Sequence, residues 1–321
     1  MKNSVIDWLL GEDQPSMRFL TMTELLGTPE TTSEVKSARK NIARVGWAGD
    51  ILEKQTPRGF WVNEKNLYRP KYVSTNWMLL ILSDLGLTRE EPRIEKACQI
   101  WIKDFATEDG GFSAFSKKNG HLCVAGNTAR ALVKFGYADH PKVKRAFEWF
   151  VRNQSERGGW SCGNFGKDKG RNLDSWEPLS AFAVYPRQKW TRSMKNAVEN
   201  AAEFFLEREL HKQGDRYRPW YRFHYPVHYY YDLLVGLDFM TALGYTDDRR
   251  LGYAISTLKK KRRQDGRWNL DAVNPDAESP LAKWVKLHPN EAAIPFAIEK
   301  AGEPSKIITL NALKVLRRIG E

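Results

Sequence analysis

Cysteine is scarce in this 321-residue chain, with only Cys98, Cys123 and Cys162. An odd, small number builds no disulfide framework, so a reducing, cytoplasmic setting is expected. Long apolar runs are missing too. None reaches the roughly 18 residues of a membrane span, and Met1–Asp13 lacks the basic stretch and apolar core of a signal peptide. These absences exclude a spanning helix but leave peripheral membrane contact open. No strand-like alternation of useful length occurs, and no Asn-Gly turn joins two such runs, which argues against a β-sandwich or barrel. Acidic residues are outnumbered: 51 Lys and Arg face 39 Asp and Glu, a net charge of +12. The basic residues are mixed with acids along helix-like stretches such as Glu34–Arg44, and the run Lys259–Arg263 reads as the last turn of a helix, where cations complement the dipole. No zinc-finger, RNP or helix-turn-helix signature accompanies them, so nucleic acid is not the expected partner.

Large aromatic residues are abundant instead: 12 Trp, 12 Tyr and 15 Phe. Several belong to a recurring marker. It reads Gln55-Thr-Pro-Arg-Gly-Phe-Trp61, Glu108-Asp-Gly-Gly-Phe112, Gln154-Ser-Glu-Arg-Gly-Gly-Trp160 and Gln264-Asp-Gly-Arg-Trp268. The wide gap before Trp268 predicts a degenerate copy near Gly214–Trp220. An amphipathic segment precedes each marker, such as Arg93–Phe105 or Lys142–Asn153. A more apolar one follows: Ser74–Leu85, Val124–Phe135, Trp176–Val184 and Val227–Leu243. Gly86, Gly136 and Gly244 read as helix stops. A two-helix unit repeated in this way buries its apolar helices only by stacking. The pattern predicts an all-α fold: a single α/α toroid of about five to six helix pairs over residues 1–321. Residues 1–33 supply closing helices and residues 34–321 the repeats. Ser305–Arg318 reads as the last outer helix, and Asn274–Leu287 as an irregular connection or lid.

The Gln-x-x-x-Gly-Gly-Phe/Trp markers resemble the repeats of squalene cyclases and of protein prenyltransferase β subunits, across roughly Ile42 to Gly320. The resemblance implies an α/α toroid with inner and outer helix rings and a central cavity for isoprenoid chains. It implies an enzyme of the terpenoid cyclase/prenyltransferase type, a transferase or cyclase acting on a hydrophobic substrate, with an isoprenoid diphosphate as one form. The chain departs from squalene-type cyclases in carrying no Asp-x-Asp-Asp acid motif; Asp247-Asp248 and Asp271–Asp276 do not match it. The zinc-binding Asp, Cys and His of the prenyltransferases have no counterpart at their spacing, although the residue types occur.

Candidate site residues gather at the predicted starts of inner helices. Cys123, Cys162 and His224 or His228, completed by Asp174 or a water, form a possible zinc set, because thiolate and imidazole suit a borderline-soft cation. Packing as small apolar residues is the other reading of the two cysteines. Asp232 lies four residues after His228, so the two can share a helical face, with the carboxylate orienting the imidazole. Tyr225, Asp232 and His228 are therefore the catalytic candidates. Trp77, Asn127, Arg130, Trp176, Tyr229 and Tyr231 are the candidate substrate wall, whose rings could stabilise a carbocation. Asp174 and Glu177 sit three apart and read either as a helix start or, with Asp232, as the acids of a carbohydrate-active toroid. A non-catalytic lipid- or peptide-binding module is the remaining alternative.

Overall fold

The structure, a computed structural model, describes residues 5–162, 172–212, 218–228, 230–273, 287–293, 296 and 298–321. The described residues are helical, with isolated β-bridges and no strand. The helices are α1 Val5–Leu9, α2 Pro15–Leu20, α3 Ser33–Ile42, α4 Gly46–Glu53, α5 Thr75–Asp84, α6 Pro92–Phe105, α7 Leu122–Lys134, α8 Pro141–Arg152, α9 Asn172–Val184, α10 Arg192–Leu206, α11 Leu233–Ala242, α12 Gly252–Lys260 and α13 Lys306–Arg318. A π-helical turn, Thr21–Leu25, continues α2.

Residue pattern sorts the helices into two rings. In α8, Val143, Ala146, Phe147 and Phe150 are buried at three- and four-residue spacing while the lysines and arginines face out. Pro92 and Pro141 occupy the first positions of α6 and α8, where a missing N–H costs nothing. By contrast, every residue of α5 from Thr75 to Ser83 is buried. The inner helices pack in sequence, α5 on α7, α7 on α9, α9 on α11 and α11 on α13. The outer helices α4, α6, α8, α10 and α12 each back onto an inner one or onto an outer neighbour. The ring closes as α13 packs on the π-helical turn after α2, while Phe19 and Leu20 of α2 press on Gly86 beyond α5. The N-terminal segment thus completes the hoop, and the fold is an all-α toroid.

The markers make one structure four times. In each, a backbone N–H from the fourth residue returns to the carbonyl of the first, and the first residue's N–H bonds to the fifth's carbonyl: Thr56 with Gly59 and Phe60, Thr107 with Gly110 and Gly111, Ser155 with Gly158 and Gly159, Arg263 with Gly266 and Arg267. The fourth position has φ between +82° and +104°, which glycine alone adopts without strain. The tryptophan that follows ties the unit together. The indole N–H of Trp61, Trp160 and Trp268 donates to the carbonyl of Ile51, Phe150 and Leu258, at 2.8, 3.0 and 2.8 Å. Their backbone N–H groups donate to the hydroxyls of Thr75, Ser175 and Thr309 near the starts of α5, α9 and α13. One side chain therefore fixes an outer helix, a turn and an inner helix together.

Two expectations fail here. The C-terminal helix is inner, not outer: Ile307, Ile308, Leu310 and Lys314 face the ring axis, and Lys306–Leu310 is buried throughout. The Thr309 contact to Trp268 shows why, since α13 stands to the fourth marker as α5 stands to the first. The described residues of 227–232 are also not helical. α11 starts at Leu233, with the Asp232 carboxylate accepting from Val235 N–H as its cap. Ahead of it, segment 223–225 runs beside 271–272, where Asp271 N–H donates to Phe223 O and Tyr225 N–H to Ala272 O. Most of the degenerate copy expected near Gly214–Trp220, and all but Leu287 of the connection Asn274–Leu287, lie outside the described residues.

Candidate functional site

At the axis, side chains from α2, α5, α7, α9, α11 and α13 surround a small chamber with about 100 Å³ of free volume. Its wall is mixed. Leu20, Leu234, Phe239 and Ile308 are apolar, while Asp84, Arg130, His224, Tyr225, Asp232 and Lys314 are polar or charged.

The polar groups fall into two sets. Toward the C-terminal ends of the inner helices, Lys134 binds Asp84 at 2.7 Å, Lys314 binds Glu24, and Arg318 binds Asp238 at 2.7 Å. Burial opposes ionisation of Asp84, but Lys134 and Arg130 outweigh it and hold its carboxyl below the usual range. Burial likewise resists charge at Lys314, yet Glu24 and Asp238 outweigh it and hold the ammonium above its usual range.

The other set clusters around His224 and Asp232, whose side chains are 0% and 1% exposed. Asp232 Oδ2 lies 2.6 Å from His224 Nδ1 and also accepts the His224 backbone N–H at 3.0 Å. Oδ1 accepts from Val235, so both carboxylate oxygens act as acceptors and Nδ1 is assigned as the donor. His224 lines the chamber, and its Nε2 is buried without a partner among the described residues. The Tyr225 hydroxyl, next along the chain, is also without one, and burial followed by the Asp84 charge keeps it protonated far above the usual range. Across the chamber, Arg130 lies over the Trp176 ring at 5.5 Å, and one of its Nη atoms is 3.4 Å from Asn127 Oδ1.

His228 is not the partner of Asp232. The pairing across four residues requires a helix that is not there, and His224 takes the carboxylate instead. The His228 ring packs 4.9 Å from Trp77 and 5.5 Å from Tyr72, with neither nitrogen hydrogen-bonded among the described residues. Burial, and then the neighbouring His224, lower its pKa to about 3, so it is neutral at physiological pH. Both His228 and Tyr72 hold left-handed backbone, φ +47° and +74°, a strained state for side chains of this size. Tyr231 is buried and donates its hydroxyl to Leu210 O at 3.0 Å, so it serves packing rather than the chamber wall. Tyr229 lies outside the described residues.

Cys123 and Cys162 do come together. Cys162 Sγ accepts the Cys123 backbone N–H at 3.2 Å, and the two thiols are hydrogen-bonded to each other. That bond, donated by Cys123, holds the Cys162 thiol below its usual range and the Cys123 thiol above it. Asp174 is the third residue of α9 rather than its cap, and it faces this pair with Glu177. Neither Glu177 oxygen has a partner among the described residues, and burial, then Cys162 and Asp174, push its carboxyl well above the usual range. His224 is committed to Asp232, so the zinc set Cys123, Cys162, His224 and Asp174 is not assembled. Among the described residues, no three of His, Cys, Asp and Glu come together in a metal-holding group. No helix among them is long and apolar enough to cross a membrane.

His224 was the residue that sequence reasoning misassigned. The only sequence signal was its fixed distance from Asp232, and eight residues is not a helical repeat. Its place is set by the backbone pairing with 271–272.

No family model matches the chain. It is 29% identical over 122 residues to a squalene–hopene cyclase of Bradyrhizobium diazoefficiens, a stretch covering 34% of this chain and 18% of that protein. The chain therefore spans less than a fifth of that relative. Among solved structures, a variant of the type II terpene cyclase MstE from Scytonema, in complex with geranylgeranyl dihydroxybenzoate, is similar at a TM-score of 0.48 and 15% identity, covering 96% of this chain and 88% of that one. A polysaccharide lyase is similar at a TM-score of 0.49 and 14% identity, covering 98% and 96%. The chain is thus an all-α toroid with repeated aromatic–glycine turns, and over 122 residues it is similar in sequence to a squalene–hopene cyclase.

Proposed function

We propose that this chain is a terpenoid-cyclase-like enzyme that moves a proton on a hydrophobic, isoprenoid substrate at the ring axis. The observation that carries the reading is the buried His224–Asp232 pair at the chamber wall, with no partner for Nε2 among the described residues. Asp232 orients the imidazole and stabilises it once protonated, so Nε2 is the base. The protonated Tyr225 hydroxyl beside it is a hydrogen-bond donor for an oxygen or an alkene face. Arg130 on Trp176 places a cation and a ring opposite, suited to an anionic or polar head on the substrate. Such a proton step fits the end of a cyclisation or the activation of a nucleophile. It does not require the Asp-x-Asp-Asp motif that the sequence lacks.

One observation favours a second reading, a non-catalytic module. The chamber's free volume of about 100 Å³ is small beside ligand pockets, which run to several hundred. A long polyprenyl chain fits only if the ring widens. The experiment is incubation of the purified protein with squalene, geranylgeranyl diphosphate and geranylgeranyl dihydroxybenzoate, read by mass spectrometry. Product formation that drops about 10²- to 10⁴-fold in His224→Gln and Asp232→Asn, with unchanged circular dichroism, supports the enzyme. Turnover unaffected by both variants removes the proposed base, and no product or binding with any probe favours the module.

A further inference from the structure

We propose that Cys123 and Cys162 are a peroxide-sensitive dithiol that closes to an intramolecular disulfide, joining the first turn of α7 to the loop that follows the third marker. Two thiols 39 residues apart in sequence are brought into hydrogen-bond contact by the ring. The geometry has three further elements. The Cys162 sulfur sits at the N-terminus of α7, where it accepts the N–H groups of both Leu122 and Cys123. Backbone N–H groups at a helix N-terminus favour negative charge on sulfur, which is the reactive form. Both residues are only partly buried, whereas Cys98 is fully buried in α6. The turn that delivers Cys162 is anchored two residues earlier, by the indole and backbone bonds of Trp160, so its sulfur is positioned by the scaffold.

The chemistry balances with one peroxide. The Cys162 thiolate attacks hydrogen peroxide and becomes a sulfenic acid, releasing hydroxide. The Cys123 sulfur then displaces the hydroxyl, forming the S–S bond and releasing water. Two thiols and one hydrogen peroxide give one disulfide and two waters. Closing the bond makes the Cys162 sulfur a weaker acceptor for the first N–H groups of α7 and ties Cys162 covalently to that helix. The inference does not depend on the proposed proton transfer.

The test uses the full chain, purified under reducing conditions, freed of reductant and exposed to stoichiometric hydrogen peroxide. The expected result is an intact mass lower by two hydrogens and a Cys123–Cys162 cross-linked peptide, both reversed by dithiothreitol. Cys98 should be alkylated only after denaturation. Cys123→Ser and Cys162→Ser should each abolish the cross-link and leave the remaining thiol to add oxygen. Three free thiols after peroxide, cross-links between chains, or separate over-oxidation of the two sulfurs in the unmutated protein would each overturn the proposal. So would stoichiometric zinc in the purified protein that is released by a chelator and blocks oxidation until it is removed.

Discussion

Replacing Glu177 by Gln should flatten the dependence of stability on pH. Glu177 is fully buried on α9, with no hydrogen-bond partner for either oxygen among the described residues. In the folded state burial, and then Cys162 and Asp174, push its carboxyl well above the ordinary carboxylate range, because burial disfavours the charged form. The sign follows from proton binding. Above about pH 4.5 the unfolded chain releases this proton while the folded chain keeps it, so rising pH favours unfolding. Stability from this group is complete below that value and erodes as pH climbs toward the folded-state pKa, at about 1.4 kcal/mol per pH unit. At an unfolding entropy of about 2.1 cal/mol/K per residue, 321 residues give about 0.7 kcal/mol/K, so each unit lowers Tm by about 2 °C. Gln is neutral at every pH. Its amide meets the same partnerless site, which shifts the baseline by about 1–3 kcal/mol but leaves no slope. Urea melts of both proteins between about pH 5 and pH 7 should therefore diverge steadily, with the Gln variant gaining relative to wild type as pH rises. A constant gap across that range would refute the assignment of Glu177 as a buried neutral acid.

Other substitutions read the scaffold. Lys314→Met leaves Glu24 and Asp238 without their shared cation; both carboxylates reach solvent, at 44% and 38% exposure, so the cost should be about 1–2 kcal/mol by chemical denaturation rather than the 3–5 of a sealed pair. Trp268→Phe removes the indole bond to Leu258 O and part of the packed ring, and should cost about 1–3 kcal/mol, with α13 the first helix to gain hydrogen exchange. Gly126→Ala would set a methyl 2.6 Å from the backbone carbon of Glu177, so α7 and α9 must separate; thermal melts should show a loss of about 1–3 kcal/mol.

The ring was legible because its turns demand particular residues. A left-handed fourth position requires glycine, and a side chain that must span ten residues back to an outer helix requires the indole N–H, so both recur at fixed offsets. The inner position of α13 was legible in principle by the same rule. Thr309 answers Trp268 as Thr75 answers Trp61, but a hydroxyl in a first turn is too common to stand out. The site was less legible. Pairing His228 with Asp232 assumed that helical spacing reached back to Val227. What competes with a helix there is the pairing of residues 223–225 with 271–272, a contact nearly fifty residues long that no local pattern announces. The proximity of Cys123 and Cys162 was legible once the helices were arranged as a ring, since both lie at starts of neighbouring inner units.

Helix polarity explains why the two chemical sets occupy opposite ends of the axis. Inner-helix N-termini present unpaired N–H groups, and the acceptors gather there: Asp232 caps α11, Asp174 lies in the first turn of α9, and the Cys162 sulfur meets the first N–H groups of α7. The C-terminal ends present carbonyls, and the cations Lys134, Lys314 and Arg318 lie toward that end, drawing Asp84, Glu24 and Asp238 with them. Asp232 is fully buried, and its oxygens meet the N–H of Val235 in the first turn of α11, the His224 backbone N–H and the His224 ring. The same polarity that seats Asp232 at the start of α11 thus holds the His224 ring against it at the chamber wall.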